Sequence, residues 1–149
     1  MGLHHITWRA TVSAVANEAM TAEMMAWLIG DSDDVNMERT SSYHGSPIHI
    51  VTATTHRKSP AFQSLSRLGT ATLKQLAEEM EQRLDENNTL HIRLDLDSCL
   101  NGDIRLADES SRATVKGQTK IEVYPGQSLH EECRILLLKA ATSGTHDGN

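Results

Sequence analysis

From Thr89 to Asp97 the side chains alternate without a break, with Leu90, Ile92, Leu94 and Leu96 on one side and His91, Arg93, Asp95 and Asp97 on the other. Period-two patterning of this kind describes a strand with one face against a core and the other in water. The pattern recurs at the start of the chain. Over Leu3–Val12, Ile6, Trp8, Ala10 and Val12 fall on one face and His5, Thr7, Arg9 and Thr11 on the other. Glu38–Tyr43 and Pro47–Thr55 read as the arms of a hairpin, with His44-Gly45-Ser46 supplying the turn and Pro47 tolerable as a first strand residue. After Gly102, Asp103–Ala107 reads as a short strand and Ala113–Tyr124 as a longer one, closed by Pro125-Gly126.

Helical spacing fills the gaps. Met20, Met24, Trp27 and Leu28 predict one buried face over Ala16–Ile29, ended by Gly30. Ser59-Pro60 opens a second helix that carries Phe62 and Leu65 and stops at Gly69. Leu73, Leu76, Met80 and Leu84 mark a third over Thr70–Glu86. Ser128-Leu129-His130-Glu131 spells a capping box ahead of a last helix lined by Leu129, Cys133, Leu136, Leu137 and Ala140. Strands joined by short turns require antiparallel pairing, so the expected fold is α+β: a largely antiparallel sheet with helices packed on one face. At 149 residues the chain makes one domain, placed at 1–141, with a frayed, disordered tail over 142–149.

No apolar run is long enough to span a membrane, and Met1-Gly2-Leu3-His4-His5 is not a secretory signal. The two cysteines, Cys99 and Cys133, stand in no metal-ligand spacing. An intracellular, cytoplasmic protein is expected. Its net charge of −6 argues against an ordinary nucleic-acid binder. The charge is uneven, however: residues 1–75 are neutral overall and residues 76–149 carry the whole excess of acid.

Catalytic motifs are sparse. The eight histidines include no His-Glu-x-x-His, and there is no Cys-x-x-Cys, no paired-carboxylate motif and no phosphate-cradling glycine loop, so no metal or cofactor is expected. His4 and His5, adjacent on a strand, should point to opposite faces. His5-Ile6-Thr7 has the spelling used by two-histidine phosphoesterases and also resembles the first strand of vicinal-oxygen-chelate enzymes. The former chemistry needs a second such strand, and His91-Ile92-Arg93 and His49-Ile50-Val51 both lack the hydroxyl. Cys99 has no histidine tied to it. What remains is a surface. The polar faces of the strands offer Arg9, His91, Arg93, Arg105, Lys116 and Lys120, with Arg112 and Thr114 sharing the parity of Lys116. If these strands are neighbours, a basic, hydroxyl-bearing face suited to phosphates results. With one Phe, two Tyr and two Trp in the chain, base stacking is not its mode.

Tyr43-His44-Gly45-Ser46-Pro47-Ile48, then Leu90-His91-Ile92-Arg93-Leu94-Asp95, Gly102-Asp103-Ile104-Arg105-Leu106 and Ile121-Glu122-Val123-Tyr124-Pro125 resemble, in order and spacing, motifs of a family of archaeal predicted RNA-binding proteins, or predicted exosome subunits. The resemblance spans residues 5–125. It implies an α+β fold like that of the large-subunit ribosomal protein that holds the 5S rRNA, often as a dimer, with RNA as ligand. It carries over His44, Gly45, Pro47, Arg93, Asp95, Gly102 and Arg105. The sequence departs from the family's pattern at Ser42, where glycine is usual, and at Leu96-Asp97, where a basic residue usually follows the aspartate. The reading that results is a non-enzymatic RNA-binding accessory in RNA processing or degradation. Its contacts are Arg9, His44, Arg57, Lys58, His91, Arg93, Arg105, Lys116 and Lys120, and its partners are RNA, exosome subunits and a second copy of the chain. The alternatives are a protein-interaction or homodimeric module without RNA contact, and a phosphoesterase built on His5.

Overall fold

The computed structural model describes residues 3–13, 15–41 and 43–147; Met1, Gly2, Ala14, Ser42, Gly148 and Asn149 lie outside it, as do the side chains of residues 15, 16 and 144–147. Five strands, β1 (Leu3–Val12), β2 (Val35–Ser41), β3 (Pro47–Thr55), β4 (Thr89–Asp95) and β5 (Thr114–Ile121), form one antiparallel sheet in the order β2-β3-β1-β5-β4. The helices α1 (Val15–Ile29), α2 (Lys58–Ser66), α3 (Thr70–Arg83), α4 (Leu96–Leu100) and α5 (Leu129–Asp147) complete the fold. The sheet's apolar face, with Ile6, Trp8, Ala10, Val51, Ala53, Leu90, Ile92, Leu94, Val115 and Ile121, is buried in a single core with Leu65, Leu73, Leu76, Met80, Leu136 and Leu137 of the helices. The opposite face is open. The expected α+β architecture is therefore the observed one.

Trp8 anchors the middle of the sheet. Its indole Nε1 donates to Ser64 Oγ at 2.8 Å, and that hydroxyl donates to the Leu28 carbonyl at 2.6 Å, tying β1 to α2 and α1. Gly117 is the register partner of Trp8 on β5, and any Cβ there would collide with the indole ring. This glycine is required by close approach rather than by backbone conformation.

Several boundaries differ from the sequence reading. α1 buries Glu18, Thr21, Met24, Met25, Leu28 and Ile29, whereas Met20 and Trp27 are half exposed. The helix is apolar nearly all round, so spacing alone chose a stripe rotated from the real one. α2 starts a residue early, at Lys58, and its Arg57 cap makes no side-chain cap bond, so Ser59 does not cap it. Asp103–Ala107 is not a strand but makes a single bridge, Leu94 with Leu106. The alternation that runs on to Asp97 ends as strand at Asp95, whose carboxylate accepts from the Ser98 amide at 3.0 Å and so caps the short α4. α5 continues through Thr142 to Asp147.

β1 also contains a bulge. Leu3 pairs with Ile121 and Ile6 with Thr119, so one strand has one residue more than its partner between these points. Leu3 and Ile6 are both fully buried, and the extra residue leaves His4 and His5 both outside the core. The expectation that these two histidines point to opposite faces is corrected by this irregularity.

Candidate nucleic-acid interface

The strand order puts β5 between β1 and β4, and the registers then align three cations. Arg9 is the partner of Lys116, and Lys116 is the partner of Arg93. Cross-strand partners have Cα atoms about 4.5–5.5 Å apart, so Arg9, Lys116 and Arg93 form one row across three adjacent strands. The row continues into Thr52 and Asn36 on the other side. Like charges directly opposite one another on a sheet are unfavourable. Among the described residues, no carboxylate is ion-paired with any of the three. A cleft of about 420 Å³ opens beside the row, lined by Arg9, Thr11, Arg112, Ala113, Thr114 and Lys116. Arg112 belongs to this site; sequence reading noted its parity without placing it among the contacts. Three cations and two hydroxyls around one concavity are a donor set for phosphate oxygens.

A second row, Thr54–Thr7–Gln118–His91, crosses the same face. The Thr54 hydroxyl donates to Thr7 Oγ1 at 3.3 Å. A third row brings His5 beside His56, with ring centroids 5.7 Å apart. Lys120 is close enough to act electrostatically on His5. Burial, then repulsion from His56, His4 and Lys120, pulls the His5 imidazole below its ordinary value. His56 follows β3 directly and carries no motif of its own, which is why sequence reading missed it.

The other expected contacts are divided. Lys120 lies on the open face with Lys116. His91 is on that face too, but its Nε2 is 2.7 Å from Asp85 Oδ2, and this bond is the leading cause of the lowered Asp85 value. Lys58 is 2.7 Å from Glu122, and this bond raises the lysine and lowers the glutamate. Arg105 sits in the β4–β5 connection and reaches Asp95 Oδ2 at 3.4 Å. His91, Lys58 and Arg105 are thus matched by carboxylates, unlike the central row. Arg57 is exposed at the start of α2. His44 is exposed in the β2–β3 turn, edge-on to Tyr43, away from the rows. Asp95 is held down to about 2, first by the Ser98 hydroxyl, with Ser111 and Arg105 adding to it.

Other chemistry has little support. Burial pushes the Cys99 thiol up to about 11 and Cys133 to about 12, and both are free, so neither supplies a thiolate near neutrality. Among the described residues no group of three potential metal ligands converges, and no helix is long and apolar enough to cross a membrane.

Solved structures share this fold. A DUF54 protein from Methanothermobacter thermautotrophicus superposes with a TM-score of 0.74 at 24% identity, covering 92% of this chain and 99% of its own. A DUF54 protein from Sulfolobus solfataricus gives 0.65 at 15% identity, covering 91% and 98%. A UPF0201 protein from Methanococcus jannaschii gives 0.57 at 10% identity, covering 89% and 98%. These likenesses concern the fold. Among curated proteins nothing matches. The family model described as RNA binding matches residues 5–121, a span running from the paired histidine of β1 to the last residue of β5 and containing all three rows of the open face. The chain belongs to that RNA-binding family.

Proposed function

We propose that the open sheet face binds the sugar–phosphate backbone of RNA, and that the protein acts as an accessory in RNA processing or degradation, in the company of exosome subunits. The observation that carries the reading is the segregation of charge. Arg9, Lys116, Arg93 and Arg112 gather on one side, ion-paired with no carboxylate among the described residues. Many of the acids lie elsewhere, on the solvent sides of the helices, as with Glu78, Glu79 and Glu81 of α3 and Glu131 and Glu132 of α5. Such a molecule presents a local positive field despite its net charge of −6. The absence of Phe, Tyr and Trp from the outward strand positions favours backbone recognition over base stacking.

The test is a salt titration of binding to structured RNA, single-stranded RNA and DNA. A linear fall of log affinity with log salt is expected, and Arg93→Ala and Lys116→Ala should each reduce the slope by about one. Unchanged RNA affinity in both variants would refute the sheet-face reading.

A second reading, a protein-interaction surface used by a homodimer or an assembly, is favoured by one feature. A groove of about 500 Å³ beside α1 and α4 is lined by Met20, Met24, Trp27, Leu100 and Ile104, with Met20 and Trp27 about half exposed. Salt-insensitive self-association lost in Trp27→Ala, without RNA binding, would put this reading first.

A further inference from the structure

The His5 end of the sheet is not explained by backbone binding alone. The His5 ring lies 5.7 Å from that of His56, just past the end of β3, and charge on one imidazole disfavours charge on the other. Two imidazoles this close can serve as a general base beside a general acid. Both rings reach solvent, His56 being exposed and His5 partly so, and a phosphodiester can approach them from the open face. The charged groups around the pair are His4, Lys120, Lys58 and Glu122. His4 Nδ1 is 3.8 Å from Glu122, and Lys58 Nζ is 2.7 Å from the same carboxylate. Glu122 is thereby occupied by His4 and Lys58, while Lys120 enters no ion pair among the described residues.

From the apposition of His5 and His56 beside Lys120 on the RNA-facing side of the sheet, we propose that this chain cleaves RNA by internal transphosphorylation. Neutral His5 removes the proton of a ribose 2′-hydroxyl as O2′ bonds to phosphorus. Protonated His56 gives its proton to O5′ as the P–O5′ bond breaks. The products are a 2′,3′-cyclic phosphate and a 5′-hydroxyl. No water, oxidant or metal is consumed, and the two rings regain their starting states by exchanging protons with solvent. Lys120 stabilises the extra negative charge on the phosphorus oxygens in the transition state. His5 is assigned as the base because burial and the nearby positive groups disfavour its charged form.

The placement relative to the cationic row fits a shared substrate. His5 and Arg9 lie on one strand four residues apart, so at ~3.4 Å per residue they are about 14 Å apart on one surface. A strand held by Arg9, Lys116 and Arg93 can reach the histidine pair without leaving the sheet. This inference rests on the RNA-binding reading, and its test separates the two. Sequence alone stopped at His5 because it sought a second His-x-Thr strand. The partner is a histidine just past the end of β3, next to the Ile6–Thr55 pair of the β1–β3 register.

The experiment incubates the full chain, in EDTA, with an end-labelled RNA, the same sequence as DNA, and a DNA carrying one ribonucleotide. Affinity for each is measured in parallel. The expected result is cleavage of the RNA, a single cut in the chimera immediately 3′ of its ribonucleotide, cyclic-phosphate ends and intact DNA. The pH–rate profile should be bell-shaped. His5→Gln and His56→Gln should each slow cutting by ~100-fold or more, with affinity within about threefold of the parent. Binding without cleavage would overturn the cleavage proposal and leave the backbone reading standing. Loss of both binding and cleavage would overturn both. Cutting that survives in the double variant, or that leaves 5′-phosphates, would also overturn the proposal.

Discussion

Lys116 stands between Arg9 and Arg93, so its removal should have opposite effects on stability and on binding. Each like-charge pair directly opposed on a sheet costs ~0.2–1 kcal/mol. Lys116→Gln removes two such pairs while keeping a side chain of similar length on the strand. Because residue 116 is exposed, the charges can splay apart and water screens them, so the lower half of the range applies. The expected gain is ~0.5–1 kcal/mol. In a domain of this size that raises Tm by ~1–4 °C. The gain should be largest at low salt and shrink as the Debye length falls from ~10 Å at 0.1 M to ~3 Å at 1 M. Calorimetric melts of the two proteins at low and high salt measure it, alongside the RNA salt slope, which should fall by about one. A lower or unchanged Tm in the variant at low salt would refute the reasoning, since it would mean the three cations do not repel as a row. So would a gain that is the same at every salt. A confirmed result would mean that the protein is less stable than it could be at the surface that meets its ligand.

Two more expectations concern the scaffold. Gly117→Val should lower stability by ~1–3 kcal/mol or more through overpacking against Trp8, read as a drop in Tm with a loss of near-ultraviolet circular dichroism. For Asp95 the sign follows from a value of about 2 in the folded protein against 3.8 ordinarily. The carboxylate stabilises the fold above pH ~4, and that contribution disappears as pH falls toward 2. Asp95→Asn should therefore lower Tm at neutral pH and flatten the decline between pH ~4 and ~2. A variant with the same acid limb as the parent would show that Asp95 does not contribute in this way.

The strands were legible because alternation is a local property. Arg9, Arg93 and Lys116 could be assigned to polar faces from their neighbours alone. That they form a row depends on β5 lying between β1 and β4, and no periodicity encodes strand order. The pairing of Lys58 with Glu122, His91 with Asp85 and Arg105 with Asp95 was hidden for the same reason; the first spans 64 positions. Leu96 and Asp97 continued the alternation past the real end of β4, because a side-chain cap at Asp95 leaves no trace in hydropathy. α1, with Met20, Met24, Met25, Trp27, Leu28 and Ile29 spread around its circumference, offered several stripes of similar quality. His56 was invisible as chemistry because its significance lies only in what stands across from it.

The irregularity in β1 makes one kind of sequence change cheap where it is ordinarily ruinous. Losing a residue inside a central strand normally turns every following side chain to the wrong side. Here the span from Leu3 to Ile6 is already one residue longer than the opposite span from Thr119 to Ile121. Deleting His4 would bring the two lengths into agreement, with Leu3 and Ile6 still facing inward and His5 still facing out. Lineages can therefore gain or shed an outward histidine at this point by a single-codon insertion or deletion, without reworking the interior. Chain length at positions 3–6 is then a dial on the surface chemistry of this end of the sheet, set independently of the cations farther along the strand.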